Sequence, residues 1–340
     1  MNNTPNTILL HTNFEGISLS QWRHLLEVSP NRSVFQTPEC YEFYKSLSFM
    51  QAFVFAVEEH GELKGVIVGF LLKDGGKIKQ FFSRRAIING GPLLAPDISP
   101  LALAQLLGTC TKSLKHKAIY IESRNLSDYS PFKTTFQKYG FRYEEHLGYI
   151  VETPNQETFE KRIEKRRMQS VRSALKNGVE IVPNPTENEI REFYTLLQDL
   201  YRTRVKTPLY PFEFFQKLAN QDFGLFLLLR YEGKIVGGQV SLCLKNYAVY
   251  DLFMTGDDVT YKKLRPSTLA TYSGIWYAAN NAYKYCDLMG AGKPGQKYGV
   301  RDFKASFGGT LVEYGRYQYL CNKLLFKIGT LGVKILKKLK

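Results

Sequence analysis

The sequence predicts a two-domain α/β protein in which each domain is built on a mixed, largely antiparallel sheet. Three observations lead there. The chain has 340 residues, where a usual domain has roughly 100–200. A hairpin signature occurs twice at a fixed offset. Each copy is also flanked by helical patterns in the same order, as layered α/β domains are.

The elements follow in order. Pro38 to Phe49 reads as a helix, and Val54-Phe-Ala-Val57 as a strand. A polar turn ending Gly61-Glu-Leu-Lys-Gly65 then feeds the apolar run Val66 to Leu72, which stops at Lys73. Strand, glycine turn and strand make a β-hairpin. Leu101 to Leu114 is a helical pattern leading into the strand Ala118-Ile-Tyr-Ile-Glu122. The second half repeats this plan: a helix over Pro211–Leu218, the strand Leu227–Arg230, a turn with Gly233 and Gly237, and a strand to Leu244 before Lys245. Both glycine pairs, 61 with 233 and 65 with 237, are 172 residues apart. A helix over Leu269–Asn281 and a strand over Tyr283–Leu288 complete the copy. The alternative is two unrelated hairpins sharing turn chemistry.

Between the halves, Thr158 to Gly178 carries Phe159, Ile163, Val171 and Leu175 at spacings suited to one amphipathic helix. Asn177-Gly178 stops it before the strand Val179–Val182. Its basic residues, among them Lys165, Arg166 and Arg167, are either a solvated helix face or a phosphate-binding patch. The predicted limits are a first domain over 1–157, a second over 158–318 and a basic amphipathic tail over 319–340. That tail alternates aliphatic residues with Lys323, Lys327, Lys334, Lys337, Lys338 and Lys340. It reads as an interfacial segment on an anionic membrane, or as a packed terminal helix weakened by Gly329 and Gly332.

Composition narrows the function classes. Hydrophobic residues make up 44% and charged residues 23%, which excludes wholesale disorder and collagen-like structure. Mean hydropathy is −0.26, and no run approaches the ~20 apolar residues of a spanning helix, so a soluble chain is expected. Lys+Arg 46 against Asp+Glu 31 gives +15, which favours polyanionic partners. Five scattered cysteines without a C-x-x-C pair argue against a zinc site or a disulfide framework and for a reducing compartment. Met1 to Leu10 lacks the pattern of a secretory signal. The expected location is the cytoplasm, at the inner face of the cytoplasmic membrane if the tail binds lipid.

Motifs in order along most of the chain point further. They are Val34-Phe-Gln-Thr-Pro-Glu39 with Tyr41 and Phe43-Tyr-Lys45, Ile88-Asn-Gly-Gly-Pro-Leu93, and Glu164-Lys-Arg-Arg167 running to Val171-Arg-Ser-Ala-Leu-Lys-Asn-Gly-Val179. Thr203-Arg204 with Pro208, Tyr250 to Gly256, Tyr261-Lys-Lys-Leu-Arg-Pro266 and Phe303-Lys-Ala-Ser-Phe-Gly-Gly309 complete the set. The sequence thereby resembles the Fem-type aminoacyltransferases that build peptidoglycan interpeptide bridges, within the GNAT acyltransferase superfamily. The resemblance implies two tandem GNAT-like domains, with no long coiled-coil arm. It implies transfer of an amino acid from aminoacyl-tRNA to an amino group of a nucleotide- or lipid-linked cell-wall precursor. It names neither the amino acid nor the acceptor amine, and nothing in the sequence sets an oligomeric state.

Aminoacyl transfer is ester aminolysis, which needs positioning, a deprotonated amine and oxyanion stabilisation. It requires neither a metal nor a resident cofactor, with aminoacyl-tRNA as co-substrate. The resemblance makes Lys304 the catalytic candidate, through the family's Phe-Lys pair, and Lys45 and Arg204 phosphate clamps, joined by Arg202. An arginine fork grips phosphate bidentately, a lysine as a point charge. Met254 stands in Met254-Thr-Gly256 where some relatives have a tyrosine. Tyr250 and Tyr298 either substitute for it or are structural, and Phe303 flanks Lys304. Two rival readings stand. One is an acetyl-CoA-dependent N-acetyltransferase acting on an amino sugar, for which Lys263-Leu-Arg-Pro-Ser-Thr268 is a glycine-free, poor pyrophosphate cradle with Ser267 as helix cap. The other is a catalytically inactive basic scaffold that binds RNA or membrane.

Overall fold

The computed structural model describes residues 7–72 and 84–338, with side chains to residue 330. Lys73, residues 1–6 of the N-terminal reading, Lys340 and the side chains of Lys334, Lys337 and Lys338 lie outside the described residues. The chain forms two compact units: residues 1–145 with 314–340, and residues 146–313.

Unit 1 runs β1 (Ile8–His11), α1 (Leu19–Val28), α2 (Pro38–Ser46), β2 (Met50–Glu59), β3 (Glu62–Leu72), β4 (Arg85–Gly90) and β5 (Leu93–Leu94). It continues with α3 (Pro100–Leu114), β6 (Tyr120–Asn125), α4 (Lys133–Lys138) and β7 (Arg142–Glu144). Two helix starts are legible locally. Thr37 accepts from Cys40 N at 3.1 Å before Pro38, and Ser99 accepts from Ala102 N at 3.0 Å before Pro100. The sheet order is β1-β2-β3-β4-β6-β15-β7, where β15 is Arg316–Leu320, and β4 and β6 are parallel. The terminal helix α11 (Lys323–Lys338) follows β15 and is continuous through both glycines that should have weakened it.

Unit 2 runs β8 (Leu147–Glu152), α5 (Gln156–Arg162), α6 (Lys165–Lys176), β9 (Glu180–Val182) and α7 (Glu187–Leu200). A π-turn over Tyr201–Val205 leads to α8 (Phe212–Leu218), β10 (Gly224–Tyr231), β11 (Lys234–Leu244) and β12 (Ala248–Gly256). Then come α9 (Pro266–Asn280), β13 (Tyr285–Gly290), α10 (Gly299–Ala305) and β14 (Thr310–Glu313). The sheet order is β14-β8-β13-β12-β11-β10-β9, with β12 and β13 parallel. The expected mixed, largely antiparallel sheets are therefore present in both units.

The duplicated hairpins are present as well. Both turns put two residues at positive φ, His60-Gly61 in one and Glu232-Gly233 in the other, as a two-residue hairpin turn matched to strand twist requires. The ladders shift register after Val57 and after Leu229, again 172 residues apart. The unit limits differ from the predicted 157/158 and 318/319. β8 pairs with β13 and β14 in the second sheet, while β15 pairs with β6 and β7 in the first. Strand periodicity says which face is buried, not which sheet a strand joins. The single helix expected over 158–178 is two, broken at Ile163-Glu164, where Glu164 N donates to Ser306 O at 3.0 Å. Phe159, Ile163 and Val171 are buried as expected, but Leu175 is exposed.

Candidate active site

The site of unit 2 begins with a short parallel ladder. Ala248, Val249 and Tyr250 pair with Tyr285, Cys286 and Asp287, and there the pairing stops. β12 runs on to Gly256 and β13 to Gly290, so the two strands fork. One step past the last rung, β12 carries a bulge: Val240 opposes Phe253 and Ser241 opposes Asp251, leaving Leu252 as the extra residue. A bulge re-aims the side chain beside it, here Asp251. On β13, Met289 takes a left-handed φ of 62° and its N–H donates to Asp287 Oδ1 at 2.7 Å.

Lys304, on α10, reaches into this fork. Its ammonium donates to Leu288 O and, at 2.9 Å, to Gly290 O. These carbonyls lie on β13 beyond its last rung with β12. An ammonium has three N–H donors, so one is left for a substrate oxygen. Arg301 holds the loop before α10, donating to Ala291 O at 3.0 Å and to Gln296 O at 3.1 Å.

Two buried carboxyls face this charge. Asp251 is 8% exposed and its Oδ1 has no hydrogen-bond partner among the described residues. Burial pushes its pKa up to about 7, Lys304 pulls it down and Asp287 pushes it up. Asp287 is raised to about 6 by burial, against the lowering effect of the Met289 N–H and of Lys304. Burial in turn lowers the Lys304 pKa, while Asp251 and Asp287 oppose that shift. Two carboxyls and one ammonium with opposed environments are an arrangement suited to proton transfer near neutral pH.

Beneath the fork, Gln239 is fully buried and donates to Ser241 Oγ at 3.0 Å. Helix α9 crosses it at Gly274, where a Cβ would come within 1.9 Å of the Gln239 amide nitrogen. A larger residue there would force the Gln239 side chain out of its place.

The predicted residues are placed as follows. Phe303 is packed under the Arg167 guanidinium, 4.7 Å from ring centroid to carbon. Arg167 donates to Ser306 Oγ at 2.9 Å and to Thr268 Oγ1 at 3.3 Å. It ties α6 to α9 and to the segment after α10, while Lys165 and Arg166 are exposed. Tyr250 is fully buried, its hydroxyl 3.4 Å from that of Tyr285, so it lies in the core under the fork. Met254 is half-buried against the hydrophobic core, and Tyr298 is exposed. Arg202 and Arg204 both lie on the exposed π-turn, where Arg202 pairs with Asp199 at 2.9 Å. Lys45 belongs to unit 1, at the end of α2, paired with Glu42 at 3.5 Å and 5.9 Å from the Tyr41 ring centroid.

The start of α9 is occupied by the chain itself. Ser267 N donates to Asp258 Oδ1 at 3.1 Å, Thr268 N donates to Arg265 O at 2.9 Å, and Pro266 has no N–H to offer. Arg265, at a φ of 51°, is the cap residue, so Ser267 lies inside the first turn and not at the cap position expected for it.

Sequence reasoning missed Asp251 and Asp287, although a signal was there. Each interrupts an apolar strand, as Val249-Tyr-Asp-Leu-Phe253 and Tyr285-Cys-Asp-Leu288. Strands of a parallel pair are buried on both faces, and an acidic residue there is almost never buried without a reason.

Residues 161–305 match the family model for an acetyltransferase (GNAT) domain. No curated protein matches the sequence. Among solved structures, FemX is similar with a TM-score of 0.71 at 16% identity, over 94% of this chain and 99% of its own. A tandem GNAT protein from the clavulanic acid biosynthesis pathway gives 0.55 at 10%, over 93% and 99%. L-PGS from Bacillus licheniformis gives 0.56 at 12%, over 94% and 96%. The fold is that of the tandem GNAT proteins.

Proposed function

We propose that unit 2 is an aminoacyltransferase that moves an amino acid from aminoacyl-tRNA to an amino group of a diphosphate-linked cell-envelope precursor. The observation that supports it most is the fork between β12 and β13, where the Lys304 ammonium and the Asp251 carboxyl, whose Oδ1 has no partner among the described residues, belong to one electrostatic cluster. That pair meets the two needs of ester aminolysis. Asp251, poised near neutral pH, takes the proton as the acceptor nitrogen bonds to the ester carbonyl. The remaining Lys304 N–H meets the developing oxyanion. The C–O bond to the ribose then breaks, and the proton held by Asp251 passes to the leaving hydroxyl. The fold shared with FemX and L-PGS supports the donor class. The overall charge of +15 suits a polyanionic donor and a diphosphate acceptor.

The coenzyme A reading is disfavoured by the start of α9. A pyrophosphate there would meet the Asp258 carboxylate in place of free amide donors. The basic-scaffold reading does not account for a buried carboxyl poised near neutral pH. The test is reconstitution of the purified protein with mixed charged tRNAs and nucleotide- or lipid-linked precursors, followed by mass spectrometry. An aminoacyl mass increase that is lost in Lys304→Ala is expected. No increase with any combination, together with acetyl-CoA binding by calorimetry, would move the assignment to N-acetyl transfer. Transfer that is untouched by Lys304→Ala would remove the fork from the chemistry.

A further inference from the structure

Unit 1 contains a cavity of about 310 Å³ lined by Arg84, Lys115, His116, Cys321, Asn322 and Leu325, among others. It lies where β4 and β6 begin, where α3 ends and where α11 starts. Ile119 N donates to Arg84 O at 2.8 Å, and Asn322 N donates to Ile119 O at 3.0 Å. The side chain of Asn322 also accepts from Leu325 N at 2.9 Å, fixing the first turn of α11 at the cavity rim. Burial pushes the Cys321 thiol up to about 11, so it brings no negative charge to this basic wall.

Two of the segments that line the cavity are one-sided in charge. From Thr111 to Ile119 and from Leu320 to Lys340 there is no Asp or Glu. The helix beside it is one-sided in a different way. Phe326 packs edge-on against Tyr120 at 5.4 Å, whereas Leu324 and Ile328, one turn apart, are 68% and 46% exposed. Lys323 and Lys327 flank them. No described helix is long and apolar enough to cross a membrane. A basic helix with an uncovered aliphatic pair instead suits the plane of an interface.

We propose that this cavity and the first turns of α11 form a docking site for an anionic phospholipid surface. Arg84, Lys115 and His116 receive the phosphate of one lipid headgroup, and Leu324 and Ile328 enter the headgroup–acyl boundary. The site is independent of the fork in unit 2. An RNA backbone would satisfy the cations equally but gives no role to two exposed aliphatic side chains, and the aromatic ring at this place, Phe326, is turned onto Tyr120.

The experiment is flotation of the full chain with vesicles of pure phosphatidylcholine and with vesicles containing one part phosphatidylglycerol in three. Binding to the anionic vesicles should be at least about tenfold tighter and should weaken steeply with salt. The double variant Leu324→Asp/Ile328→Asp and the double variant Arg84→Gln/Lys115→Gln should each lower it by on the order of tenfold or more. Thermal unfolding of the Leu324/Ile328 variant, whose changed side chains are exposed, should stay at the wild-type temperature. Equal binding to neutral vesicles would overturn the proposal. So would undiminished vesicle binding by the Leu324/Ile328 variant, whether the cavity then binds inorganic phosphate alone or loses tRNA binding with its cations. Because the readout is vesicle association, failure here leaves the transferase assignment untouched, and the converse also holds.

Discussion

In unit 1 the parallel strands β4 and β6 pair along six residues, from Arg85 opposite Tyr120 to Gly90 opposite Asn125. In unit 2 the corresponding strands β12 and β13 pair along three and then part. The closed end in unit 1 is also plugged. Tyr129 donates to Gly90 O at 2.9 Å and Pro92 O at 2.6 Å, and Gln36 donates to Gly91 O at 2.8 Å. The Ile88-Asn-Gly-Gly-Pro motif is therefore the seat of a buried network.

The buried carboxyls differ in the same sense. Glu122 in unit 1 is buried, which raises its pKa, but Arg124 at 2.6 Å and Arg316 at 3.3 Å bring it below the usual carboxylate range. Asp251 has no such partner and sits near 7. One GNAT-like unit has spent its polar groups on closure, and the other has left them open. Within one duplicated plan, the proposed function assigns the chemistry to the open unit.

The largest effect that would break this contrast belongs to Lys304. Lys304→Ala should lower the transfer rate by on the order of 10²–10³-fold, read by single-turnover kinetics, with circular dichroism unchanged. Asp251→Asn comes next, at about 10²-fold, and it carries a pH signature. In the wild type, transfer should rise as pH passes about 7 and Asp251 ionises, and the variant should lose that limb.

Stability should respond to Asp251 with the opposite sign. A folded pKa near 7, above the unfolded Asp value, means the folded state binds more protons between about pH 4 and 7. Wild-type stability therefore falls as pH rises through that window. Asp251→Asn removes this loss, which denaturant titrations at pH 5 and 8 would reveal. A variant that stayed parallel to the wild type at both pH values would show that Asp251 titrates normally.

The plug predicts an effect on folding alone. Tyr129→Phe leaves the Pro92 carbonyl without the Tyr129 hydroxyl, while Gly90 O keeps the Gln36 amide at 3.2 Å. It should cost about 1–3 kcal/mol, with transfer per folded molecule within about twofold of wild type. A large loss of rate instead would mean that the end of β4 takes part in the chemistry.

Much of the duplicated fold was legible because hairpin turns and helix caps are local. Gly61 and Gly233 sit in the same positive-φ turn position, and the helix read from Pro38 starts there. The unit limits were not, since β8 and β15 find their partners only in three dimensions. Lys304 entered as a candidate through the Phe-Lys pair of the resemblance, and the structure places it at the fork. Asp251 escaped because it lies in a strand that reads as core, and only the bulge at Leu252 and the early end of the ladder set it apart. Arg167 was legible as a basic residue, but its contacts with Ser306 and Phe303 depend on packing between helices far apart in sequence.

The smallest effect tests the symmetry itself. Gly61 and Gly233 have φ values of 81° and 75°, and a Cβ at either would meet nothing within 4 Å. Substitution by Ala therefore brings no clash, only the strain of an L-residue in the left-handed region, about 1–2 kcal/mol. Equal plans require equal penalties: Gly61→Ala and Gly233→Ala should lower the thermal midpoint of their own unit by similar amounts, with no change in transfer rate. A penalty several times larger at one turn would mean that this hairpin carries tertiary strain its sister lacks, and the two units would then share turn chemistry without sharing a folding plan.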